Sequence, residues 1–160
     1  MIELRIYGLP APQGSKQYKG HSKRGFAILA ESSKRVGPWR ESVCWQSREQ
    51  YKGEPLEGPL EISVIFWLPR PQAHYRMIDG QLSNRLKPNK PVFTTAATQG
   101  DTDKLLRSCF DGLAVKTGGC IAQDDSQFVR LKMVEKRYVT ETEGPGALIQ
   151  VKPVAASDLN

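Results

Sequence analysis

Between residues 100 and 127 the chain reads G-D-T-D-K-L-L-R-S-C-F-D-G-L-A-V-K-T-G-G-C-I-A-Q-D-D-S-Q, and five of its 17 acidic residues fall there. Asp101 and Asp103 form one tight group, Asp124 and Asp125 another, with Asp111 between them. Leu106, Cys109, Phe110 and Leu113 stand at i, i+3, i+4 and i+7, which predicts an amphipathic helix over 103–114. Residues two apart diverge on a helix and share a face in extended backbone. Asp101 and Asp103 therefore converge only if the helix begins at or after Asp103. Lys116-Thr117-Gly118-Gly119 turns the chain, and Asp124-Asp125 then precedes a strand. A helix followed by a returning strand can bring the second acidic pair back to the helix's first turn.

Outward from this stretch, the sequence predicts one domain over 1–160, of α/β (α+β) class. A mixed β-sheet would carry about two main helices. The run Leu60–Leu68 is rich in β-branched and aromatic residues and reads as a central strand covered on both faces. A second helix is expected over 36–51, with Pro38 in its first turn and Trp39, Val43 and Gln46 along one line. Residues 3–9 read as a short strand, expected to pair with a second apolar run at 26–30. Val129, Leu131 and Met133 alternate with Arg130 and Lys132, an expected inner and outer face. A turn at 141–146 leads into a returning strand at 147–151. Residues 13–25 and 69–100 read as basic loops, the second unusually long for a compact domain. The last residues, 155–160, are expected to fray.

Charge is uneven. Residues 1–100 hold 15 Lys and Arg against 8 Asp and Glu, a net of +7; residues 101–160 hold 8 against 9, a net of −1. A cationic front suggests a phosphate-binding surface. Lys16, Lys19, Lys23 and Arg24 in the first loop, Arg70 and Arg76 in the second, and Lys104 are the candidate DNA contacts. No apolar run reaches membrane-span length, and the N-terminus lacks the layout of a signal peptide. Three cysteines without metal-knuckle spacing suggest a reduced, cytoplasmic chain.

Three or four carboxylates gathered in one place resist ionising without a cation. Hard oxygen ligands with no histidine or cysteine select Mg2+, with Mn2+ able to substitute. Such an ion activates water and stabilises charge on a phosphodiester. Arg107, one turn beyond Asp103, can steady the charge building on a phosphate. The competing readings are structural: one aspartate as a helix cap, Asp124-Asp125 as solvated turn residues, and Arg107–Asp111 as a surface pair.

The pieces Asp101-Thr-Asp103-Lys-Leu-Leu-Arg107, Phe110-Asp-Gly-Leu113 and Asp124-Asp125-Ser-Gln127, leading into a strand ending Lys136-Arg137-Tyr138, resemble the RusA family of Holliday junction resolvases, particularly its phage and prophage members. Leu68-Pro-Arg-Pro71 with His74-Tyr75 adds a weaker likeness. The close match covers roughly a quarter of the chain. The resemblance implies that Asp101, Asp103 and Asp125 are metal-binding catalytic acids, with Asp111 and Asp124 supporting them. Arg107 stands where the family's best-known pattern has a lysine. Both residues carry the charge, but a guanidinium is no proton donor at ordinary pH. The resemblance further implies a homodimer acting on four-way DNA junctions in the cytoplasm of a bacterium or a phage-infected host.

The functional expectation is a Mg2+-dependent endonuclease that resolves branched DNA by paired cuts. Its rival is a non-catalytic binder of branched or double-stranded DNA. A glycosyltransferase reading of Asp-x-Asp lacks an acceptor domain. A calcium loop fails because the sixth position from Asp101 is Leu106 rather than glycine.

Overall fold

Leu60, Ile62, Val64, Phe66 and Leu68 alternate along one strand, and each is sealed from solvent. Around that strand the computed structural model describes residues 1–14, 16–24, 27–31 and 34–158, with backbone alone at 16–19 and 27–31. The elements run β1 (Ile2–Tyr7), β2 (Lys16–His21), β3 (Ala27–Glu31), α1 (Val36–Gln50), β4 (Leu60–Leu68), β5 (Tyr75–Ile78), β6 (Gln81–Leu86), α2 (Thr102–Leu113), β7 (Phe128–Tyr138) and β8 (Gly146–Pro153). Four strands make the main sheet in the order β1-β8-β4-β7. β4 runs parallel to β7 and antiparallel to β8. The sheet is mixed and two helices pack on it, the α+β arrangement the sequence predicts.

The helices cover the face that carries the alternating apolar residues of β4. From α1 come Trp39 and Val43, and from α2 Leu105, Leu106, Cys109 and Leu113, all within one core with Leu4, Ile6 and Ile149. The opposite face of β4 is covered by long polar side chains rather than a second layer. There Glu61 is ringed by Arg130 at 3.4 Å and Lys152 at 3.3 Å. Burial alone would raise its pKa, but hydrogen bonds from Lys152 and Arg130 hold the carboxyl below its usual range. Arg5 lies 4.5 Å over the Trp67 ring on the same side.

Several strand expectations change. β1 pairs with β8, not with the run at 26–30, because Leu4 meets Ile149 and Ile2 meets Val151 across the ladder, apolar cross-strand pairs that stabilise a sheet. The second run, β3, pairs instead with β2 inside the expected basic loop at 13–25. That hairpin closes a short loop at low entropic cost. The segment 69–100 also contains a hairpin, β5 with β6. On β7 the expected inner face is open: Val129, Leu131 and Met133 are 62%, 52% and 37% exposed. β7 is an edge strand, and register shifts opposite Leu60/Glu61 and Ile62/Ser63 break its alternation, as bulges do. Near the C-terminus, residues 156–158 form a 3-10 turn, and Asp158 is held by Arg130 at 2.6 Å. The rest of the expected frayed end, Leu159 and Asn160, lies outside the described residues.

Gly112 explains itself in this packing. A Cβ there would sit 2.7 Å from Val43 Cβ, so glycine sets the closeness of α1 and α2. Alanine would improve helix propensity by nearly 1 kcal/mol but overpack the crossing by about 1–3 kcal/mol. Gly112→Ala is therefore expected to lower the unfolding midpoint in urea, and an unchanged or higher midpoint would refute this account of the crossing.

Candidate functional site

The start of α2 is built by backbone. Gly100 has φ +93, and a Cβ on it would lie 2.5 Å from the Pro12 ring, so the turn into the helix requires glycine there. Gln99 Nε2 donates to Pro69 O at 2.6 Å, Gln13 N donates to Lys104 O at 3.0 Å, and Lys136 Nζ donates to Gly100 O at 2.8 Å. The helix then begins at Thr102, one residue earlier than convergence of the pair had required. Asp101 occupies the N-cap in extended backbone, and Asp103 lies in the first turn.

Asp101 does not cap. Its side chain makes no hydrogen bond to the helix backbone and reaches Lys104 Nζ at 3.2 Å instead. Asp103 is exposed, and among the described residues no hydrogen bond or ion pair engages its side chain. Both carboxylates thus keep oxygen lone pairs for a ligand, beside the positive end of a helix that favours negative charge. Arg107, one turn on, is exposed and equally unengaged among the described residues. The competing reading of Arg107, a surface pair with Asp111, is not what the structure shows. Asp111 binds Arg40 of α1 at 3.1 Å, because it lies on the side of α2 that faces α1.

Asp124 and Asp125 lie at the other end of α2. Phe110 stacks on Phe128 with ring centroids 4.7 Å apart, which fixes the 3-10 turn Asp125–Gln127 beside the helix's last turns. Asp124 caps that turn through Ser126 N at 3.0 Å, and Gln127 completes a capping box by accepting from Asp124 N at 3.1 Å. Lys116 approaches at 3.3 Å. The backbone and hydroxyl of Ser126, then Lys116, hold the Asp124 carboxyl far below its usual range. Asp125 goes the other way: desolvation, then its neighbour Asp124, then the charge of Asp111 push its carboxyl up. Asp124 is therefore occupied by structure, and Asp125 is the member of the pair whose ionisation a nearby cation would favour.

The structure does not bring Asp125 to Asp101 and Asp103. Asp103 and Asp111 are eight residues apart on one helix, about 12 Å of rise, and Asp125 lies at the Asp111 end. Among the described residues no three acidic, histidine or cysteine side chains are grouped closely enough to hold a metal ion. The donor chemistry fits Mg2+, since it is all carboxylate, and Asp101 and Asp103 would supply two of its oxygen ligands.

The cationic residues sort by what they already hold. Arg70 donates to Val139 O at 2.6 Å and Pro91 O at 2.9 Å and lies 5.1 Å over Tyr138, so it clamps the end of β4 to the strand ends. Lys104 faces Asp101. Arg76 is exposed, with its Nε on Leu86 O. Lys23 and Arg24 are exposed in the β2–β3 connection, while the side chains of Lys16 and Lys19 lie outside the described residues. Two residues that the sequence offered only within the family resemblance also bear on this charge. Lys136 places its ammonium beside Asp101, and only its position in the basic end of β7 hinted at that. His74 sits among cations: burial, then Lys90, Arg70 and Lys87, hold its imidazole below the ordinary value. The end of the sheet from which α2 departs is thus electropositive. All three cysteines are free, and among the described residues no helix is long and apolar enough to cross a membrane.

The family model described as Endodeoxyribonuclease RusA matches residues 10–152. Over 83 residues, 52% of the chain, the sequence is 31% identical to the crossover junction endodeoxyribonuclease RusA of Aquifex aeolicus (strain VF5). The chain spans about 60% of the length of that relative. The family match takes in both helices, the acidic groups at the two ends of α2 and three of the four strands of the main sheet, and the chain belongs to the RusA family of endodeoxyribonucleases.

Proposed function

We propose that this chain is a Mg2+-dependent, structure-specific endonuclease that resolves Holliday junctions and related branched DNA by paired phosphodiester hydrolysis, working as a homodimer in the cytoplasm. The observation that carries the reading is the pair Asp101 and Asp103: exposed, not spent on capping, and set at the electropositive end of a chain in this family. The relative's name supports the substrate class.

Asp101, Asp103 and Asp125 would hold the ion, which would supply an activated water and charge neutralisation at the phosphate. Arg107 lies one turn from Asp103, where its permanent charge can meet a phosphate oxygen, and its fork of donors suits that geometry. Lys136 holds the backbone just ahead of Asp101 in place. Asp111 and Asp124 act on position: the first ties α2 to α1 and the second shapes the turn that presents Asp125. Because one chain leaves Asp125 at the far end of α2, the third carboxylate comes from a second copy. Two-fold symmetry then yields two equivalent sites on one junction.

The separation of the carboxylates also favours a second reading, a non-catalytic binder of branched or double-stranded DNA. A synthetic four-way junction, labelled on each strand in turn, separates the two. With Mg2+ or Mn2+, symmetric cuts on opposing strands are expected, and chelation should abolish them while leaving the junction bound. Binding that weakens steeply with salt, with no cleavage under either metal, would instead establish the second reading.

A further inference from the structure

The β5–β6 hairpin stands apart from the main sheet. Asp79 and Gly80, with φ of 51 and 75, form its two-residue turn, the left-handed geometry such hairpins favour. Its base is tied down by Leu86 N donating to Glu141 at 2.8 Å and Lys87 N donating to His74 O at 2.9 Å. The tip is apolar and uncovered: Met77 and Leu82, cross-strand partners, are 60% and 47% exposed, and Ile78 is 45% exposed. A lone two-stranded hairpin has little stability to spare in water. Apolar side chains held out on one indicate an occupant.

The surrounding charge says which. Arg76 and Arg85 lie on the hairpin and Lys87 and Lys90 just beyond it, and Asp79 is the one acid in residues 69–100. The depressed imidazole of His74 registers burial and then the charges of Lys90, Arg70 and Lys87 at the hairpin's base. Two copies of this surface meeting face to face would oppose like charges, whereas phosphates complement them. Closed duplex DNA offers phosphates but little for exposed Met, Ile and Leu to bury against. Opened base steps do, and apolar wedges are inserted at such steps by other DNA-bending proteins. The strand Tyr75–Ile78 reaches about 13 Å, more than the roughly 8.5 Å depth of the major groove. The hairpin's base and the start of α2 meet at the same end of the sheet through Arg70, Pro69 and Gln99.

We propose that the β5–β6 hairpin is the branch-reading element: Met77, Ile78 and Leu82 enter the opened centre of a four-way junction while Arg76, Arg85 and Lys90 hold the phosphates around it. The inference rests on the branched-DNA reading above and adds the residues that distinguish a branch from a duplex. It places specificity in a surface separate from the carboxylates.

The test compares the parent chain with Leu82→Ser and with the triple variant Met77→Ser, Ile78→Ser, Leu82→Ser, in Ca2+ to prevent cutting. Three quantities are read: affinity for a four-way junction, affinity for a linear duplex of the same arm sequence, and fluorescence of 2-aminopurine at the crossover. The triple variant is expected to lose about tenfold in junction affinity and the fluorescence rise that marks unstacking, with duplex affinity changed less than about twofold. Leu82→Ser, at a half-exposed position, guards against misfolding and should show the same pattern more weakly. Equal loss on both DNAs, no loss on either, or a change of mass by light scattering that marks the hairpin as a protein interface would each overturn the proposal. A parent chain with no preference for the junction would overturn the branched-DNA reading itself, a separate and recognisable failure.

Discussion

Asparagine at Asp101, Asp103 or Asp125 is expected to slow Mg2+-dependent junction cleavage by about a thousandfold or more, while junction binding in Ca2+ stays within about threefold of the parent. A metal that activates water and neutralises a phosphate is worth several kcal/mol of transition-state stabilisation, and each 1.4 kcal/mol or so is a factor of ten. Asparagine keeps the shape of the side chain and removes the charge that holds the ion. Asp101 and Asp103 are exposed and carry no capping bond, so the substitutions should leave the midpoint of urea unfolding close to the parent's. Asp124→Asn gives the internal control. Asp124 is spent on Ser126 and Lys116, and its amide oxygen can still cap, so cleavage should fall far less than at Asp125. Equal losses at the two adjacent positions would remove the distinction drawn between them. Cleavage that survives asparagine at both Asp101 and Asp125 would sink the metal assignment.

What the sequence made legible follows from how local the signals were. The stripe Leu106, Cys109, Phe110 and Leu113 needs one helical period and no knowledge of the rest, and α2 appears nearly where the stripe puts it. Continuous apolarity at Leu60–Leu68 marks β4 as central because both its neighbours are paired strands. Pairings between distant residues were not legible. Ile2 and Leu4 meet Val151 and Ile149 from the far end of the chain, and nothing local to 3–9 says so. The hairpin at Tyr75–Leu86 had a local signal in Asp79-Gly80, a strong turn dipeptide, but four prolines and a run of cations around it read as loop. On β7 the alternation itself misled, since two register shifts rotate its side chains and an edge strand has no second neighbour to cover them. The acidic groups were found because their spacing is a sequence property. That they stand at opposite ends of α2 is a tertiary property, set by Phe110 on Phe128.

That separation makes mixed chains the sharpest test of the proposed dimer. One chain would carry Asp101→Asn with Asp103→Asn, the other Asp125→Asn, and each alone should be inactive. If Asp125 serves the partner's Asp101 and Asp103, a mixed dimer holds one site with all three carboxylates and one site with none. Random exchange of equal amounts makes about half the dimers mixed, so about a quarter of the sites are intact, following from two-fold symmetry. Single cuts should then return, and nicked junctions should accumulate in place of resolved duplexes because each mixed dimer cuts one strand. If each chain completes its own site, no mixture contains an intact one and no activity returns. The exchange is verified independently by light scattering and by recovering one tagged chain through the other. Restored nicking would also explain why a chain with every predicted ligand present keeps Asp125 apart from the other two: the metal site would be completed only where two copies meet, and a lone chain bound to DNA would have no complete site with which to cut it.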